Sequence, residues 1–117
     1  MDKQYEVIII GGRVAGSSLA IRLAQQNRKV LLIDRATFPS WPAVPSSPLV
    51  HPGTMRLLDE VGMSDSEYAY PEGKVTHLIL DVMGKYQAIM PLELLQLDRN
   101  YVFGIDRNRF DTLLWQR

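Results

Sequence analysis

The segment Gly11-Gly12-Arg13-Val14-Ala15-Gly16 restricts the fold of this chain more than any other stretch. It joins an apolar run, Tyr5 to Ile10, to a segment with helical patterning from about Val14 to Asn27. Ala15, Leu19, Ile21, Leu23 and Ala24 are the apolar positions of that segment, and Gln25, Gln26, Asn27 and Arg28 form its polar end. Val30 to Ile33 is a second apolar run, closed by Asp34-Arg35. Strand, helix and strand thus fit within about thirty residues, the size of one βαβ unit. Both runs are apolar at successive positions, which predicts a parallel sheet buried on both faces.

The glycines have separable tasks. A dinucleotide-binding turn needs one glycine to bend sharply out of the strand, one where backbone approaches the pyrophosphate, and one where helix packs on strand. Gly11 and Gly16 suit the first and third tasks, while Arg13 occupies the second position. The free N–H groups at a helix N-terminus suit phosphate, and Asp34, 18 positions after Gly16, is placed to accept ribose hydroxyls. Without a ligand, the same turn would simply link strand to helix, with Asp34 a solvated strand end.

Beyond Asp34 the pattern changes. Five of the seven prolines fall between Pro39 and Pro52, which predicts an extended excursion over residues 36–53 rather than a helix or a central strand. Pro52 suits the first turn of a short helix with Met55, Leu58 and Val61 on one face and Gly62 as its stop. Val75 to Val82 and Tyr86 to Met90 read as a hairpin turning at Met83-Gly84, and Tyr101 to Ile105 as a further strand. Asn108 can cap a last helix, 108–117, with Phe110, Leu113 and Leu114 on one face. That helix has no stop signal, so the expectation is one truncated domain over 1–117, the N-terminal part of a longer protein.

Composition narrows the classes of function. The 117 residues carry 13 Lys+Arg against 13 Asp+Glu, leaving no basic excess for a nucleic-acid backbone. The absence of cysteine removes disulfides, thiolate metal sites and a cysteine nucleophile. No run is long enough for a signal-peptide core or a membrane span, and cytoplasmic location is the default expectation. Neither a metal-ligand cluster nor a catalytic triad is legible. His77 reads as a surface or cross-strand residue, and His51 more as part of the excursion than as a cofactor contact. Trp41 and Trp115 read as covering core surface, and Arg109 with Asp111 as a surface pair worth little.

Tyr5 to Pro39, with Gly-Gly-Arg-Val-Ala-Gly-Ser and then Asp-Arg-Ala-Thr-Phe-Pro, resembles the start of the single-component, aromatic-hydroxylase-like FAD-dependent monooxygenases. That group shades into flavin-dependent halogenases and geranylgeranyl reductases. Arg107-Asn108-Arg109-Phe110-Asp111 with Leu114 is similar to the family's Arg-x-x-Leu-Asp-x-x-Leu, and His51-Pro52-Gly53 falls at a comparable turn. The resemblance implies an α/β fold, a partial doubly wound, Rossmann-like FAD-binding domain with a parallel sheet plus a β-hairpin layer. It implies that Gly11, Gly12, Arg13, Val14, Ala15 and Gly16 hold the FAD pyrophosphate and that Asp34 holds the adenosine ribose. Arg35 would line the adenine side, and Arg107 would reach the ribityl–pyrophosphate portion. The Arg13 side chain must either turn away from the phosphates or pair with them.

By the same resemblance the parent enzyme would use NAD(P)H and O2 to hydroxylate a small organic substrate. This stretch alone would bind FAD weakly, would not turn over and would be marginally stable. An NAD(P)-binding module of a dehydrogenase and a non-enzymatic remnant stay open as alternatives. The excursion after Asp34 favours FAD, because a plain NAD-binding domain continues sooner into another helix and parallel strand.

Overall fold

Strands and helices alternate at first and then give way to antiparallel pairing, in a computed structural model that describes residues 3–44 and 46–117. In chain order the elements are β1 (Val7–Ile10), α1 (Val14–Gln25), β2 (Val30–Ile33), β3 (Leu49–Val50), α2 (Pro52–Glu60), α3 (Asp65–Tyr68), β4 (Lys74–Val75), β5 (His77–Val82), β6 (Tyr86–Pro91), β7 (Val102–Gly104) and α4 (Arg107–Gln116). Pro45, part of the expected excursion, lies outside the described residues. The chain divides into two compact units, one made of 1–46 with 106–117 and the other of 47–105.

The first unit is the βαβ unit with α4 packed on α1. β1 and β2 pair in parallel, Val7 opposite Val30 through Ile10 opposite Ile33. Gln25 is the last residue of α1 because Asn27 turns to φ 60°, and the N–H groups of Asn27 and Arg28 return to the carbonyls of Ala24 and Leu23. This is a Schellman ending with asparagine in the left-handed position. Ile9 points into the core while Ile10 is 84% exposed, as are Ile8 and Ile33 to a lesser degree. The described residues thus leave part of the β1 surface uncovered. Along β1 the side chains alternate, with Ile9 buried between exposed Ile8 and Ile10, whereas Val30, Leu31 and Leu32 of β2 are all half-buried.

In the second unit β7 is the centre of a three-stranded antiparallel sheet, flanked by β3 and β4. Two-residue β3 is an edge strand, which is where a proline-rich segment can still pair. Val75 belongs to β4 and pairs with Val102, so the hairpin begins at His77 instead of Val75. Its turn has φ 56° at Met83 and φ 69° at Gly84, the double positive φ of a type I′ connection. Pro52 opens α2, and Gly62 at φ 78° stops it: the N–H of Gly62 reaches Asp59 O, and that of Met63 reaches Leu58 O. Met55, Leu58, Val61, Met63, Tyr68 and Phe103 build this unit's core.

Met55 is fully buried, so Met55→Ala leaves a cavity that the surrounding core fills only in part. The expected cost is about 2–5 kcal/mol. Urea unfolding checks it as a lower midpoint with an unchanged slope.

Candidate functional site

At Gly11 the backbone leaves β1 with φ 108°, a conformation that side chains oppose, and a Cβ there would project into open space. The Gly11 N–H still bonds to Ile33 O, so the turn begins on the sheet itself. Gly16 meets the opposite condition, since a Cβ on it would collide with the Gly11 carbonyl. Close approach of α1 to the strand end thus depends on a hydrogen at that position. Buried Ser17 adds a tie by donating its hydroxyl to Gly12 O at 2.5 Å.

The start of α1 is left open to an anion. N-cap Arg13 makes no side-chain capping bond, and no acidic residue stands in the first turn. The first N–H groups of a helix have no intrahelical acceptor and carry the positive end of its dipole. Asp34 faces this turn from the end of β2. Its Oδ2 accepts the Gly12 N–H at 2.6 Å, and its Oδ1 accepts the Ala36 N–H at 2.7 Å. These bonds, Ala36 first and Gly12 second, hold the Asp34 carboxyl below its ordinary titration range.

A lowered pKa means that Asp34 stabilises the fold when ionised. The contribution is fully present above the ordinary aspartate pKa and is lost as pH falls through the lowered one. The stability advantage of wild type over Asp34→Asn should therefore shrink as pH falls from about 5 to about 2. Melting curves of the two proteins across that range check it.

A cleft of about 850 Å³ lies beside the turn, lined among others by Ile10, Gly11, Asp34, Arg35, Trp41 and Arg107. Its size falls within the usual range for a small-molecule site. Arg13 also borders it but turns away from the helix N-terminus. Its Nη1 donates to Ser40 O at 2.6 Å and to Asp111 Oδ2 at 3.2 Å. Its Nη2 donates to Ser40 Oγ at 2.9 Å and to Trp41 O at 2.8 Å, and the guanidinium lies 4.7 Å from the Phe38 ring centroid. Arg107 donates to both oxygens of Asp111, from Nε at 2.9 Å and Nη2 at 3.2 Å, and from Nη1 to Ser46 Oγ at 2.6 Å.

Sequence reasoning placed three things differently. Asp111 is 0% exposed and held by Arg107 and Arg13, so it is not part of a surface pair. Asp106, not Asn108, caps α4, because its carboxylate accepts the Asn108 N–H at 2.9 Å. Trp41 is 63% exposed on the cleft and does not cover core, whereas Trp115 stacks on Phe38 at 4.7 Å. Ser17, Ser40 and Asp111 were not singled out as site residues. The four-residue spacing of Arg107 and Asp111, and the match of Asp111 to the aspartate of the resembled motif, are the signals for the last of them.

His77 is exposed and bonded to Thr76, and His51 is the N-cap of α2 in the second unit. Among the described residues no group of acidic and histidine side chains could hold a metal ion, and no helix is long and apolar enough to cross a membrane. The donor set fits FAD: open helix-terminal amides for a diphosphate, a fixed carboxylate for ribose, and guanidinium groups along the cleft.

Comparison with known proteins points to the same cofactor. Residues 4–117 match the family described as FAD binding domain. The chain is 29% identical to a 1H-pyrrole-2-carbonyl-[peptidyl-carrier protein] chlorinase of Pseudomonas fluorescens over 97% of its own length and 28% of that protein's. It is 41% identical to mouse squalene monooxygenase across 52% of this chain and 10% of that enzyme. A crystal structure of p-nitrophenol 4-monooxygenase from Pseudomonas putida superposes with a TM-score of 0.77 at 20% identity, over 99% of this chain and 29% of that one. The chain thus spans less than a third of the length of these relatives.

Proposed function

This chain belongs to the FAD-binding domain family, and from that premise we propose that it holds FAD for a monooxygenase that hydroxylates a small organic substrate. The observation that carries the proposal is the uncapped start of α1 facing a carboxylate fixed by two backbone N–H groups. In this reading the amides of Val14, Ala15 and Gly16 grip the diphosphate, with Gly11 and Gly12 letting it approach the backbone. Asp34 accepts the adenosine ribose hydroxyls with the lone pairs that its two backbone bonds leave over. Arg35 borders the adenine side, and Arg107 donates to the ribityl–pyrophosphate portion. The Arg13 contribution is its backbone, since its guanidinium is engaged with Ser40, Trp41 and Asp111.

FAD, when bound, supplies the redox chemistry, drawing on NAD(P)H and O2, while the chain binds, orients and shields it. Titration of the purified chain with FAD, followed by flavin fluorescence, tests the reading. FAD should saturate a single site and bind more tightly than NADH. Tighter NADH binding would turn the assignment to a dehydrogenase module. With FAD added, NADH oxidation should not exceed that of free FAD, because this stretch covers less than a third of its relatives.

A second reading has its own support, since the chlorinase likeness extends over 97% of the chain. It makes the parent enzyme a halogenase. A halogenated product from the complete enzyme with halide, instead of one heavier by an oxygen atom, would establish it.

A further inference from the structure

One buried carboxylate holds two of the arginines that border the cleft, Arg13 and Arg107, and the geometry points to Asp111 as a positioning residue for FAD. This rests on the reading of the cleft given above. Asp111 is 0% exposed, and its two oxygens receive Nε and Nη2 of Arg107 side-on. Such a paired bond fixes the plane of a guanidinium, and Ser46 Oγ, accepting from Nη1, fixes its outer end. A guanidinium has five N–H donors, so these three bonds leave two on a side chain that borders the cleft. Those two are available to phosphate oxygens.

The other side of Asp111 receives Nη1 of Arg13. Through Arg13 the same carboxylate steadies the wall at Phe38, Ser40 and Trp41. Asp111 also balances one of the two positive charges it touches, so that the pole they form carries a single net charge. Without it, two poorly hydrated guanidinium groups would repel one another and seek water. Asp111 acts through Arg107 on the ligand and does not touch the ligand itself.

Titration of the 117-residue chain with FAD and, separately, with AMP tests this, with circular dichroism as the check on folding. Asp111→Asn keeps the volume and should weaken FAD binding about tenfold or more, while AMP, which keeps only the adenosine-side phosphate and lacks the flavin-side phosphate and ribityl chain that Arg107 would reach, changes less than about twofold. Arg107→Ala should give a similar loss for FAD, and D111N added to it should then cost less than about a further twofold. Multiplying losses in the double variant, equal losses for FAD and AMP, or unchanged FAD binding by folded D111N would each overturn the proposal.

If D111N does not fold, Ser46→Ala decides. Ser46 is exposed, and its loss removes one hold on Arg107. FAD should then weaken about two- to threefold with AMP unchanged, and unaltered FAD binding overturns the proposal. Failure of the unaltered chain to bind FAD strikes the reading of the cleft itself and is distinguishable from all of these.

Discussion

Gly16→Ala should unfold the first unit or abolish its ligand binding, the largest effect expected from any single methyl group in this chain. A Cβ on Gly16 falls on the carbonyl of Gly11, which is backbone and cannot rotate aside. Alanine is the better helix former by up to about 1 kcal/mol, which favours the substitution. Overpacking against a fixed group costs about 1–3 kcal/mol and sometimes more, and here α1 must also move away from β1. The clash wins. A fall in melting temperature of about 10 °C, or loss of the transition, is the expected result. A variant that melts like wild type and keeps its FAD affinity would show that close approach of helix and strand is dispensable.

Asp34→Ala should weaken ligand binding more than it weakens the fold. The carboxylate orients Gly12 and Ala36 through their N–H groups and, in the proposed reading, faces the adenosine ribose. Hydrogen bonds to a charged acceptor contribute about 1.5–3 kcal/mol each, so FAD affinity should fall about a hundredfold. AMP should suffer comparably, because the lost contact is on the adenosine side. That distinguishes Asp34 from Asp111, whose replacement is expected to spare AMP. Isothermal titration with both ligands reads the difference.

The parts legible in the sequence are those where one residue type has one local use. Gly11, Gly16 and the two apolar runs marked strand, turn and helix because the backbone demands there are specific. Pro52 with Gly62, and Met83 with Gly84, marked a helix and a hairpin turn for the same reason. What was not legible depends on partners distant in sequence. Asp111 looked like a surface acid because an acid beside arginines on a helix is usually solvated. It is buried because Arg13, 98 positions away, supplies the second cation.

Trp41 gave a similarly ambiguous signal. Large aromatics are usually covered, but here Arg13 holds the Trp41 carbonyl and leaves the ring exposed on the cleft. Successive apolar residues in β1 and β2 point to double burial, yet exposure alternates along β1 and is intermediate at Val30, Leu31 and Leu32 of β2. Ile10 at 84% exposure is the consequence. Asp106 caps α4 in place of the expected Asn108 through one hydrogen bond, which residue type alone does not reveal.

The central claim is that the uncapped amides at the start of α1 hold a diphosphate. Backbone amide chemical shifts of the isotope-labelled chain, recorded as FAD is added, test it most directly. The largest changes should fall on Val14, Ala15 and Gly16, with Gly11 and Gly12 next, and should saturate with one equivalent of ligand. Saturable shifts confined to other residues, with these five unmoved, would contradict it.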